Sequence, residues 1–103
     1  MNYEKFSDRV KQILHKVSEI LETDHHPKKI ILFGSRAKRN FRKHADFDFA
    51  IDAAEPDNTS KRKLSEKIES ISGLYKIDLV FLKNIDKDFE NIILNSGRIL
   101  YAE

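Results

Sequence analysis

The chain opens with a helical pattern of apolar residues. Large apolar side chains recur at three- and four-residue spacing over about five turns, which places them on one face of an amphipathic helix. They are Phe6, Val10, Ile13, Leu14, Val17, Ile20 and Leu21. Polar residues from Thr23 lead to Pro27 and predict the end of this helix, because the residue before a proline disfavours helical geometry.

Two short stretches after this helix predict strands. Residues 29–33 include an apolar, largely β-branched run that stops at a glycine, which favours a buried strand. Residues 46–51 alternate strictly, with large apolar side chains on one face and Asp46 and Asp48 on the other. The second strand is therefore half-buried, and its two carboxylates point the same way. Residues 35–39 between them are expected to begin a short helix.

The next part of the chain predicts a helix and a third strand. Thr59 is a suitable cap for a helix that runs to about residue 72, and Gly73 ends it. The strand that follows, over residues 75–82, carries Asp78 among apolar neighbours.

The end of the chain predicts one more helix and a short edge strand. Asn84 or Asp86 can cap the helix, and Gly97 marks its C-terminal stop. Residues 99–101 then read as the edge strand.

The positions of the polar residues constrain how the strands run. If Ser35 is to meet Asp46, strands one and two are antiparallel. If Asp78 is to join Asp46 and Asp48, strands two and three are parallel, and the intervening helix is their right-handed crossover. The predicted fold class is α/β of the α+β kind, a mixed sheet of three to four strands flanked by helices. The helices are expected to cover one face of it.

Composition bounds the kind of protein. A length of 103 residues predicts a single domain over residues 1–103. The absence of cysteine, of a signal-peptide pattern and of a long apolar stretch predicts a cytoplasmic protein that does not bind membranes. The balance of 19 basic and 17 acidic residues gives no bulk attraction for nucleic acid, so no direct nucleic-acid partner is expected.

The turn after the first strand has the chemistry of a phosphate-binding loop. Gly34 lets the backbone approach a ligand closely, and free amides with the Ser35 hydroxyl favour an anion. Arg36 and Lys38 can neutralise a triphosphate. The whole basic run to residue 43 can equally be a solvated loop or a nucleic-acid patch.

Three aspartates are the candidate catalytic and metal-binding residues. Asp46 and Asp48 can converge on a pair of cations about 3.5–4 Å apart, and Asp78 can add a third carboxylate from the neighbouring strand. Mg²⁺ prefers such oxygen ligands together with substrate phosphates and water. An isolated Asp-X-Asp or Gly-Ser is usually an ordinary surface feature, and it is their joint occurrence with Asp78 that indicates a site.

These motifs together resemble a known superfamily. Gly34-Ser35, ten intervening residues and Asp46-Phe47-Asp48 are similar to the signature of nucleotidyltransferases that include polymerase β. The short chain, its Gly34-Ser35-Arg36-Ala37 segment and its Ile77-Asp78-Leu79-Val80 strand resemble more narrowly the minimal nucleotidyltransferases, antitoxin partners of HEPN-domain toxins.

The resemblance implies an enzyme with a defined reaction. It implies a type VII-like antitoxin that transfers AMP from ATP to a tyrosine of a HEPN toxin with Mg²⁺, two ions being expected. Asp46, Asp48 and Asp78 would bind metal, and Gly34 and Ser35 would bind the triphosphate. Ala45 departs from many relatives, which have serine there, and this leaves metal ligation intact.

Two alternatives remain open. The protein can be a non-catalytic module that neutralises a HEPN partner by forming a complex, in which case the carboxylates are a remnant. It can also transfer a nucleotidyl group to a small molecule, although the short chain provides no additional domain to hold one. A hetero-oligomer with the partner is expected in the leading interpretation.

Overall fold

The computed structural model describes residues 6–38 and 45–103, and in this part of the chain it shows one mixed sheet with helices packed against it. The main elements are α1 (Asp8–His25), β1 (Lys29–Phe33), β2 (Phe47–Ile51), α2 (Asn58–Ser72), β3 (Ile77–Phe81), α3 (Lys87–Ser96) and β4 (Arg98–Ala102). The predicted fold class is confirmed. Among these helices, none is both long and apolar enough to cross a membrane.

The sheet has the strand order β3-β2-β1-β4. β1 pairs antiparallel with β2 and with β4, whereas β2 and β3 are parallel. The strand directions inferred from the polar residues are confirmed, and α2 is the crossover between β2 and β3. As a result, the end of β1 and the starts of β2 and β3 meet at the same end of the sheet.

The helix caps differ from the sequence prediction in one case. The cap of α2 is Asp57, whose side chain accepts a hydrogen bond from the backbone N–H of Ser60 at 2.8 Å, and so the prediction of Thr59 was wrong. Both residue types cap helices well, and the path of the preceding turn decides between them. α3 is capped by Asp86, one of the two predicted candidates.

The core lies on both faces of the sheet. α1 and α2 cover the larger cluster, which includes Phe47, Phe49 and Ile51 of β2. α3 packs through Ile93 against the opposite face, where it meets Ile31. The expectation that helices cover one face was therefore wrong for α3. The reason is that β1 is apolar on both faces, and each face must be shielded from water.

Candidate active site

The turn that follows β1 is a short 3-10 helix, Gly34–Ala37, close to the short helix that was expected to begin over residues 35–39. Gly34 has a φ of 71°, in the left-handed region that favours glycine. A Cβ placed on Gly34 would overlap Oδ2 of Asp48. Phe33 is the register partner of Asp48 in the β1–β2 pair, so the strand pairing brings this turn onto the carboxylate.

Asp48 and Asp78 lie side by side on one face of the sheet. They are register partners in the parallel pair β2–β3, and both are half-buried. Asp46 lies just before β2 and is exposed. The structure therefore brings the three predicted carboxylates to the same end of the sheet. Asp48 and Asp78 lie on the face that α3 covers.

The electrostatic environment of Asp48 is unfavourable for its charge. Burial raises the pKa of the Asp48 carboxyl, and the neighbouring charges of Asp78 and Asp46 raise it further. Lys76 acts in the opposite direction, and its Nζ lies 3.9 Å from Oδ1 of Asp78. A cation close to these acids would relieve the repulsion.

The carboxylates suit a divalent cation by their chemistry. Oxygen ligands are those that Mg²⁺ prefers, and crowded acids with a raised pKa for Asp48 are the environment that a cation stabilises. Within residues 6–38 and 45–103, no three His, Cys, Asp or Glu side chains are already arranged to hold a metal ion. The donor set fits Mg²⁺, and its side chains would have to converge to bind it.

Ser35 and Lys38 are available to a ligand at the turn. Both are exposed, and the backbone N–H of Lys38 donates to the carbonyl of Ser35 at 3.1 Å, which closes the turn. Together with Gly34 they form the accessible part of the predicted phosphate-binding turn. The other basic residues of the run, Arg39, Arg42 and Lys43, lie outside the residues that the structure describes.

Arg36 is separated from these residues by the structure. Its side chain is buried, with Nε donating to the carbonyl of Ala45 at 3.1 Å. The guanidinium carbon lies 4.4 Å from the ring centroid of Phe47, on the opposite side of β2 from Asp48. Arg36, which the sequence analysis names with Lys38 as a candidate to neutralise a triphosphate, is therefore separated from the exposed residues of the turn.

A second arginine holds the other end of the turn and was missed by the sequence interpretation. Nε of Arg98, at the start of β4, donates to the carbonyl of Ala37 at 2.8 Å. The contact joins residues far apart in the chain, and no local motif marks Arg98. The antiparallel pairing of β4 with β1 creates it.

Comparison with known proteins identifies the family. A family model described as "Polymerase beta, Nucleotidyltransferase" matches residues 15–103. The chain belongs to this nucleotidyltransferase family. The match covers the turn and all three aspartates, so this nucleotidyltransferase carries its candidate site within the matched region.

Relatives of this nucleotidyltransferase include named adenylyltransferases. MJ1379, a candidate protein adenylyltransferase of Methanocaldococcus jannaschii, is 33% identical over 88 residues, which cover 82% of this chain and 87% of that protein.

Among solved structures, a chain in a crystal structure of a toxin–antitoxin with AMP-PNP has a TM-score of 0.72 and 25% identity. The match covers 87% of this chain and 73% of that chain. A chain in a crystal structure of the MntA–HepT toxin–antitoxin has a TM-score of 0.64 and 26% identity, covering 90% of this chain and 73% of that one.

Proposed function

We propose that this nucleotidyltransferase transfers AMP from ATP to a tyrosine hydroxyl of a HEPN-domain toxin and thereby acts as its antitoxin. The observation that carries the proposal is the contact between the Gly34 backbone and the Asp48 carboxylate. This contact joins a turn suited to phosphate with the carboxylate group suited to metal. An enzyme of nucleotidyl transfer needs both within reach of the same triphosphate.

The chain's residues have separate roles in this reaction. The amides of Gly34 and Ser35 hold the phosphates, and the exposed ammonium of Lys38 balances their charge. Asp46, Asp48 and Asp78 would hold Mg²⁺, two ions being proposed. Bound there, the metal neutralises charge that develops on the phosphate oxygens.

The chemical step is a displacement at the α-phosphorus. The acceptor oxygen forms a bond to the α-phosphorus, while the bond from that phosphorus to the oxygen bridging to the β-phosphate breaks. Pyrophosphate leaves, and the acceptor proton passes to a carboxylate, for which Asp78 is the half-exposed candidate. The protein's contribution is positioning and charge neutralisation.

The choice of acceptor is supported by the relatives. MJ1379 is named for adenylyl transfer to protein, and the matched toxin–antitoxin structures include one with an ATP analogue and the MntA–HepT pair. The sequence resemblance to the antitoxins of HEPN toxins agrees with them. A cytoplasmic location is part of the proposal, since ATP is abundant there.

The direct test is to incubate the protein with ATP, Mg²⁺ and its HEPN-domain partner, and to map adenylyl groups on the partner by mass spectrometry. We expect modification of a tyrosine. Asp48→Asn should abolish it, whereas Asp52→Asn, which removes a carboxylate at the far end of β2, should not. An unmodified partner with the folded wild-type protein would refute the proposal.

The same variants separate catalysis from simple binding. If modification causes neutralisation, Asp48→Asn should leave the partner toxin active. If that variant neutralises the partner as well as the wild type does, complex formation alone is sufficient, and the non-catalytic alternative holds.

A further inference from the structure

Arg36 is the one charged residue in the described part of the chain that is fully buried, with 1% of its surface exposed. Its guanidinium lies against two aromatic rings, 4.4 Å from the centroid of Phe47 and 5.3 Å from that of Tyr75. The two rings pack edge to face, with centroids 5.3 Å apart. Arg36 thus occupies a formed aromatic site and does not extend into water.

Burial of this cation is costly, and the contacts around it offset the cost. Desolvation lowers the pKa of Arg36, and the electrostatic interaction and hydrogen bond with the Tyr75 hydroxyl partly offset this decrease. The guanidinium also gains cation–π attraction from the ring faces. Because burial of a charge is not in itself evidence of stabilisation, the position of these contacts is what bears on the role of Arg36.

The contacts of Arg36 join the two halves of the site. Its backbone belongs to the Gly34–Ala37 turn, and its Nε holds the carbonyl of Ala45, the residue directly before Asp46. Its guanidinium rests on the ring of Phe47, the residue directly after Asp46. One side chain of the turn therefore contacts the residues on both sides of Asp46, through the carbonyl of Ala45 and the ring of Phe47.

We propose that Arg36 is a positioning residue that sets the separation between the phosphate-binding turn and Asp46, and that it does not itself contact the nucleotide. The inference rests on the proposed function. Arg98 supports it from the other side, because it holds the carbonyl of Ala37 at the end of the same turn. The turn is thereby tied to β2 by one arginine and to β4 by another.

The test compares Arg36→Met with two matched variants in the adenylyl-transfer assay with the complete chain and its partner. Methionine keeps an unbranched chain and loses the planar cation. We expect kcat to fall about 10²-fold, since a displacement of about 1 Å at a catalytic group has that effect. Arg36→Lys should also have a reduced kcat, because an ammonium cannot stack on the rings and donate hydrogen bonds in the geometry of a guanidinium.

The two matched variants separate positioning from stability and from binding. Arg9→Met removes another arginine that donates to a main-chain carbonyl, that of Ile71 at 2.8 Å between α1 and the end of α2, and should leave kcat unchanged. Lys38→Met should instead raise KM for ATP, because Lys38 is exposed at the turn. A wild-type kcat in Arg36→Met, or an effect on KM for ATP alone, would overturn the proposal.

A second readout does not depend on activity. Hydrogen exchange of the amides in the Gly34–Ala37 turn and at residues 45–47 should be faster in Arg36→Lys than in the wild type, and the Mg²⁺ concentration needed for half-maximal stabilisation should rise. Equal exchange and equal Mg²⁺ dependence in the two proteins would refute the role of Arg36. A wild type that transfers no AMP would refute only the proposed function, and the exchange measurement would still test Arg36.

If Arg36→Met and Arg36→Lys do not fold, Tyr75→Phe provides the same test. It keeps the ring and removes the hydroxyl that hydrogen-bonds Arg36. We expect a smaller fall in kcat with the same increase in exchange at the turn. Unchanged kcat and unchanged exchange would overturn the proposal.

Discussion

The Cα of Gly34 faces the carboxylate of Asp48 so closely that no side chain fits between them. Strand register is the cause, because Asp48 lies opposite Phe33, the last residue of β1 before the turn. The contact brings the candidate phosphate-binding turn and a candidate metal-binding carboxylate together in one place.

Gly34→Ala tests this contact. The new methyl group would overlap Oδ2 of Asp48, and the φ of 71° adds backbone strain of about 1–2 kcal/mol. We expect both a lower free energy of unfolding and a strongly reduced kcat, measured by denaturant unfolding and by the transfer assay.

Gly73→Ala is the matched control. Gly73 also has a positive φ, of 63°, but its added methyl would meet only the flexible end of Arg9, at 3.2 Å. Because Gly73 has a ψ of −124°, outside the left-handed helical region, this variant should lose about 1–3 kcal/mol of stability with its kcat preserved. An equal loss of kcat in both variants would show that strain alone explains the effect of Gly34→Ala.

The charge of Asp48 should oppose folding at neutral pH. Burial raises the pKa of the Asp48 carboxyl above its ordinary value, and the charges of Asp78 and Asp46 raise it further. The stability that the protonated form provides is therefore fully present below the ordinary pKa of an aspartate. It is lost as pH rises through the raised pKa of the folded protein. Asp48→Asn should therefore melt at a higher temperature than the wild type at pH 7.

The melting temperatures of the wild type and Asp48→Asn should converge as pH falls below the ordinary pKa of an aspartate, where the unfolded carboxyl is also protonated. Thermal unfolding over a pH series measures this difference. A variant that is less stable than the wild type at pH 7 would show that Asp48 has a structural role.

Mg²⁺ should stabilise the folded protein. A ligand that binds only the folded state adds about 2.7 kcal/mol at a concentration of about 100 times its Kd. The melting temperature should rise with Mg²⁺ in the wild type and in Asp52→Asn, and much less in Asp48→Asn. If Asp48→Asn responds as the wild type does, the metal binds elsewhere.

Lys76 should control the acid limb of the pH–rate profile. It opposes the upward shift of the Asp48 pKa and lies 3.9 Å from Asp78, and removing it should raise the Asp48 pKa further. Lys76→Gln should therefore need a higher pH for half-maximal rate. Its stability should change little, since exposed ion pairs contribute at most about 1 kcal/mol.

Lys67→Gln is the comparison for Lys76→Gln, because Lys67 forms an exposed ion pair with Asp24 at 2.7 Å away from the site. Its pH–rate profile should match that of the wild type. Identical profiles for all three proteins would mean that Asp48 does not limit the rate at acid pH.

The carboxylate side of the site was predictable from the sequence because strand periodicity is local. Alternation over residues 46–51 predicted Asp46 and Asp48 on one face, and the single acid in an apolar strand indicated Asp78. If Asp78 is assumed to lie beside Asp46 and Asp48, the parallel pairing of β2 with β3 follows. The consecutive apolar residues of β1 also indicate a strand that is buried on both faces, and hence a helix on each side of the sheet.

The burial of Arg36 could not be predicted from local sequence periodicity. Five cations lie between Gly34 and Ala45 with no acid among them, and nothing local distinguishes the one that is buried. Its burial depends on Phe47 and Tyr75, which the fold brings together from separate strands and turns. Arg98 is similar, since only the pairing of β4 with β1 brings it to the turn.

The most direct measurement compares ATP labelled at the α-phosphate with ATP labelled at the γ-phosphate, each incubated with Mg²⁺, the protein and its HEPN-domain partner. Nucleotidyl transfer predicts that the partner keeps the α-label and that the γ-label is released as pyrophosphate. Asp48→Asn should transfer neither. A partner that keeps the γ-label, or that takes up no label from either nucleotide, would contradict AMP transfer at this site.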